Sequence, residues 1–181
     1  MDLLPFCATG YAAEARPFLA APWSIGDYTY ATNGHILVRV ARDPSAPPNA
    51  DNKFATSFRK AFLPGFERQL AERTFAPLPG WRVIPADPGR PCDPCDGDGC
   101  EFCGGDGVIG QRDEIAAFPT QQFNLGYIRM LTALPHLTVA FGGGASYHID
   151  SALLFRFGGL LSACAGALMP INPTAAEASN V

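Results

Sequence analysis

Asp27-Tyr28-Thr29-Tyr30-Ala31-Thr32-Asn33-Gly34-His35-Ile36-Leu37-Val38-Arg39-Val40 is the stretch that decides the fold. Aromatic and β-branched residues flank Asn33-Gly34 on both sides, and such side chains suit a pleated, half-buried surface. Asn-Gly between two runs of this kind is the strongest short-range hairpin signal, because a two-residue turn of the favoured type needs positive φ at both central positions. The stretch reads as an antiparallel pair turning at Asn33-Gly34.

Upstream, residues 11–21 read as a short helix weakened by Pro17. Downstream, 41–52 is a loop rich in Pro, Asn and Asp, and 54–73 is helical in two pieces broken at Pro64-Gly65. Arg59, Lys60, Arg68 and Arg73 mark the polar side of those pieces. Short strands follow at 81–84, 108–109 and 115–118. Phe123, Tyr127, Leu131 and Leu134 recur at helical spacing, which predicts an amphipathic helix over 120–134. Strands are expected at 137–141, 146–149 and 152–157, with a last one ending near Met169. Gly142-Gly143-Gly144 supplies a turn among them. Each half thus holds a helix and several antiparallel strands, an α+β arrangement.

The chain has 181 residues, enough for a single domain with a substantial core. Its 48% hydrophobic and 17% charged content is that of a globular protein. A net charge of −4 gives no global electrostatic footprint for nucleic acid, which counts against wrapping DNA without excluding one basic face. No apolar run reaches membrane-spanning length, and the N-terminus lacks the basic start and apolar core of a signal peptide. A cytoplasmic, reducing setting is the expectation. Ser/His/Asp, P-loop, dinucleotide and paired-carboxylate signatures do not stand out, and a non-enzymatic role follows.

Between the halves lies Cys92-Asp-Pro-Cys95-Asp-Gly-Asp-Gly-Cys100-Glu-Phe-Cys103, followed by Gly104-Gly105-Asp106-Gly107. Two C-x-x-C pairs separated by a glycine-bearing turn offer four soft thiolates, the donor set of a closed tetrahedral zinc site. Cys92, Cys95, Cys100 and Cys103 are therefore assigned to one structural Zn2+ in a small knuckle inserted over 85–110. The alternative, a pair of disulfides, is disfavoured by the short spacing and by the missing secretory signal. A calcium loop of Asp93, Asp96 and Asp98 fails because Cys100 interrupts the register. The crowd of Asp93, Asp96, Asp98, Glu101 and Asp106 should repel phosphate. Cys7 and Cys164 read as packed thiols, and neither His136 nor His148 has a carboxylate at ligand spacing.

The glycine pattern of Cys95-Asp-Gly-Asp-Gly and Cys103-Gly-Gly-Asp-Gly resembles the C-x-x-C-x-G-x-G repeats of the zinc domain of DnaJ-type co-chaperones. That resemblance concerns a metal turn alone, as no J-domain His-Pro-Asp occurs. A second resemblance is broader. Thr32-Asn-Gly-His-Ile-Leu37 resembles the T-D-G-H-R-L hairpin of bacterial DNA sliding clamps, the β subunit of the replicative polymerase. Phe123-Asn-Leu-Gly-Tyr127-Ile128 with Leu131 and Leu134, Ser146-Tyr-His-Ile149-Asp150, and Leu168-Met169-Pro170-Ile171 resemble later clamp segments in the same order. Asn33, Ile36 and Ile171-Asn172 depart from the family pattern.

The resemblance implies a single clamp-like domain of two similar halves, residues 1–84 and 111–172, on either side of the knuckle; the small, polar stretch 173–181 reads as a frayed tail. The resemblance also implies a role in DNA replication or its control, through self-association or peptide capture. The residues matching the family's peptide pocket are Thr32, Gly34, His35, Leu37, Leu168, Met169 and Pro170. Clamps of that family carry three such domains per chain and build the pocket from adjacent ones, so a one-domain chain either self-associates to rebuild it or holds only a relic of it. Arg112, Arg129 and Arg156 are the candidates for facing DNA. The alternative is a zinc-stapled interaction module, of phage type, that binds a host or replication protein without encircling DNA; a further alternative is a zinc-knuckle adaptor in which the clamp resemblance is coincidental.

Overall fold

The computed structural model describes residues 1–48, 56–98, 100, 107–109, 111–143, 149–159 and 163–171. Its centre is a six-stranded antiparallel sheet in the order β1 (Trp23–Ile25), β2 (Tyr28–Thr32), β3 (Ile36–Ala41), β11 (Ala165–Leu168), β10 (Leu153–Arg156) and β9 (Thr138–Ala140). Two three-stranded meanders, one from each half of the chain, meet through their last strands. Leu37 pairs with Ala167 and Ile36 with Leu168 across that joint.

The expected hairpin forms, but not with a two-residue turn. Thr32 pairs with Leu37, so the loop is longer, and of Asn33 and Gly34 the positive φ belongs to Gly34, at 97°. Asn33 acts through its side chain: its Oδ1 accepts the backbone N–H groups of His35 and Ile36 at 3.0 and 3.2 Å. An Asx turn of this kind stands in for the backbone turn that the dipeptide suggested.

Both faces of the central sheet are covered, which explains why β3 and β10 read as nearly continuous apolar runs. Alternation along the strands sends Ala31, Ile36, Val38, Leu153, Phe155 and Leu168 to one face. There they pack with Leu125, Ile128 and Leu131 of helix α3 (Leu125–Thr132). A small sheet of β4 (Arg82–Ile84), β7 (Ile115–Ala117) and β8 (Gln122–Asn124) contributes Ala116 and Phe123 to this layer. The opposite face carries Tyr30, Leu37, Leu154, Ala165 and Ala167 against Phe66 and Leu70 of helix α2 (Leu63–Glu72). A shorter helix, α1 (Gly10–Ala15), precedes β1 and leads into a single turn at Pro17–Leu19. The sheet is built of matching halves, whereas α2 and α3 lie on opposite sides of it.

Pro64-Gly65 does not break the second helical stretch. Helix runs through it, because a π turn at Phe58–Phe62 comes just before, with Leu63 N–H bonded to Phe58 O. The wider turn accommodates a proline that has no N–H to give. The helix expected over 120–134 is shorter than its periodicity suggests. Phe123 belongs to β8, paired with Ala116, and Asn124 caps α3 by accepting Gly126 N–H at 2.8 Å. Phe123 and Ile128 share one cluster across this cap, a hydrophobic staple whose spacing mimics another helical turn. Ile149 lies in a 3-10 turn, Ile149–Ser151, and not in a strand. The rest of that expected strand (146–148), Gly144 and the tail lie outside the described residues.

Both outer strands of the central sheet are bridged. Val139 of β9 exchanges two backbone hydrogen bonds with Ala76, at 2.7 and 2.9 Å, and Ser24 N–H of β1 donates to Pro47 O at 2.9 Å.

Candidate functional site

The chain leaves the small sheet at β4 and returns to it at β7, and the excursion between them is closed like a hairpin. Asp87 and Arg112 bridge its base, and β5 (Arg90–Pro91) pairs with β6 (Val108–Ile109) above them. Cys92 N–H then donates to Gly107 O at 2.8 Å. A 3-10 turn over Asp93–Cys95 follows, and Asp96 and Gly97 take φ of 52° and 91° to reverse the chain. Gly107 is required here: a Cβ on it would lie 1.9 Å from Gly97 O.

This folding gathers the sulfurs. The Sγ atoms of Cys92, Cys95 and Cys100 lie within 4.8 Å of one another, with Cys92 buried. Three cysteines are thus close enough to hold one metal ion. The Cys92–Cys100 Sγ separation is 3.7 Å. A tetrahedral zinc site with Zn–S bonds near 2.3 Å has an S···S edge of about 3.8 Å, whereas a disulfide requires about 2.05 Å. The donor set and its spacing fit zinc. Cys103, the fourth residue of the sequence assignment, lies outside the described residues.

On the α2 face, a groove of about 340 Å³ opens beside the hairpin. Thr32, Gly34, His35, Leu37 and Met169, all expected from the sequence, line it together. The joint between β3 and β11 brings them there, extended by Met169 N–H donating to His35 O at 2.9 Å. Hairpin and C-terminal strand therefore meet within one chain. Two expected residues fall elsewhere. Leu168 is one position from Met169, so alternation turns it to the opposite face, where it is fully buried. Pro170 is buried and does not line the groove.

The rest of the lining was not singled out from the sequence. Phe58 and Phe62 form one wall, stacked at 5.3 Å, and Phe62 stacks on Phe66 at 6.0 Å. Their i, i+4 spacing was a readable helix stripe, but nothing in it distinguished a groove wall from core. Arg16 and the partly exposed Phe18 form the rim.

The three candidate DNA-facing arginines are not brought together. Arg112 stands at the base of the knuckle. Arg129, on α3, pairs with Glu114 at 3.0 Å. Arg156 ends β10 against the other helix, donating to Leu70 O at 2.6 Å and lying over the Phe75 ring. Cys7 is buried, and burial, with a smaller effect of Asp2, pushes its thiol up to about 11, which suits packing rather than nucleophilic use. Cys164 is half-buried against the core. No helix among the described residues is long and apolar enough to cross a membrane.

Set beside protein-family models, curated proteins and solved structures, the chain matches none of them.

Proposed function

We propose that this protein is a non-enzymatic interaction module that captures a short peptide of a partner protein in the hairpin groove, on a clamp-like domain stapled by one zinc ion. The observation that carries the reading is the groove itself, complete within one chain and walled by Leu37, Met169 and a stack of phenylalanines. A Met-bearing apolar groove adapts to linear peptides, with the polar rim setting direction and register. The clamp resemblance of the residues lining it points to a partner among proteins of DNA replication or its control.

The bridged outer strands favour this module over a ring closed through the edges of the central sheet. The net charge of −4 and the dispersed arginines give DNA contact no added support. Zinc would be held by Cys92, Cys95, Cys100 and Cys103, with no position left for chemistry, so its role is folding energy.

Selection of a random peptide library on the immobilised, zinc-loaded protein tests the reading. Enriched peptides should share an apolar anchor, perturb amide resonances of residues 32–37 and 167–169, and lose binding to Met169→Glu. Peptides that map to another face, or no enrichment at all, would overturn it.

A further inference from the structure

A second, larger groove of about 660 Å³ lies at the C-terminal end of α2, distinct from the hairpin groove. Its floor is a row across the sheet. Arg39 pairs with Ala165, Ala165 with Arg156, and Arg156 with Thr138. Side chains in such a row share a face, so the small Ala165 leaves open space between two guanidinium groups on strands about 10 Å apart. Arg73 adds a third positive charge at the wall, and among the described residues Glu67 is the single carboxylate in the lining.

The three arginines differ in what they have left to donate. Arg73 is the most committed: its Nε donates to Gln69 and its terminal nitrogens to the carbonyls of Phe141 and Asp150, which leaves two of its five N–H groups. Arg156 gives one nitrogen to Leu70 O and is otherwise exposed. Arg39 is only 7% exposed, held between Glu67 and the ring of Tyr28. Its Nε has no hydrogen-bond partner. That nitrogen is closed to solvent, so a ligand in the groove meets Arg39 only through its terminal nitrogens. Phe75, with the Arg156 guanidinium over its ring at 4.3 Å, supplies apolar wall beside the charges, whereas the Phe157 ring is buried on the opposite face of the sheet.

We propose that this groove binds a small molecule with one oxyanion head, phosphate or carboxylate, set between Arg39 and Arg156 on an apolar body that packs beside Phe75. Guanidinium groups favour such heads through paired, charge-assisted hydrogen bonds. The volume is that of a small-ligand site. Glu67 competes with the ligand for Arg39.

Titration of the full chain with phenyl phosphate, benzoate and inorganic phosphate, followed by amide resonances, tests this. Saturable one-to-one binding of an aromatic anion, with shifts at Thr138, Gly159 and Ala165, is expected. The tighter of phenyl phosphate and benzoate identifies the head. Arg156→Gln should weaken binding roughly tenfold, Arg156→Lys less, and Glu67→Gln should tighten it several-fold. Thermal melts of each variant separate lost binding from lost folding, and the Glu67→Gln gain cannot arise from unfolding. The proposal is overturned if neither aromatic anion saturates, if inorganic phosphate binds as well as phenyl phosphate, or if the affinities ignore all three substitutions.

Discussion

Asn33 Nδ2 donates to the hydroxyl of Tyr127 at 2.9 Å, joining the hairpin turn to helix α3 across 94 residues of sequence. The same amide oxygen closes the turn, so one side chain shapes the groove rim and fastens it to the layer behind. His35 stacks on Tyr127, ring centroids 6.2 Å apart, which fixes a lining residue from outside the groove. Asn33→Ala should cost about 1–2 kcal/mol and Tyr127→Phe about 0.5–1.5 kcal/mol in urea unfolding. If the double variant loses no more than Asn33→Ala alone, the bond itself carries the coupling.

Met169→Ala should weaken capture of a groove-selected peptide while changing stability little, since Met169 is only half-buried. Leu168→Ala should do the reverse, costing about 2–5 kcal/mol because its side chain is fully buried on the other face. Paired peptide titrations and unfolding curves read both. A large stability loss in Met169→Ala with binding retained would make Met169 plain core.

Removing metal should loosen residues 85–112 and spare the central sheet, because the knuckle joins the fold through its short β5–β6 base. Chelation or Cys95→Ser should speed proteolysis there with little change in far-ultraviolet circular dichroism. Bound zinc, counted by mass spectrometry, should fall from one per chain to none in Cys92→Ser. Full zinc retention in a Cys95→Ser variant would remove that residue from the ligand set.

Gly166 sits at the centre of the joined sheet, where an added Cβ would lie 2.2 Å from Leu37 O and 2.1 Å from the Phe155 ring. Gly166→Ala should destabilise by about 1–3 kcal/mol, as overpacking forces backbone and ring apart. A thermal melt checks it, and an unshifted midpoint would show that the two meanders are not so closely joined.

Alkaline pH should weaken the fold. Burial raises the Cys7 thiol from an ordinary 9.0 to about 11, and raises Tyr30 from 10.0 to about 12, partly offset by Arg39. The folded chain holds these protons more tightly than the unfolded one, so the stability they lend is whole below pH 9 and drains as pH climbs through 9–12. Urea midpoints across that range should fall, and Cys7→Ala should flatten the first part of the decline. A decline unchanged by Cys7→Ala would place the titration elsewhere.

Read alone, the sequence carried the hairpin, the antiparallel strands around it and three cysteines, Cys92, Cys95 and Cys100, that come close enough to hold a metal ion. These are local properties, set by alternation, turn chemistry and C-x-x-C spacing within a few residues. It also named five of the residues that line the hairpin groove, through their resemblance to a clamp segment. Tertiary structure decided the rest. Asn124 as a cap shortened α3, and the π turn carried α2 through Pro64, both outcomes of which backbone donors found partners. The pairing of β3 with β11 placed Met169 in the groove and Leu168 behind it, and it set Arg39 and Arg156 on either side of Ala165. No local pattern carries that information, because register between strands more than a hundred residues apart is settled by which faces can be buried together.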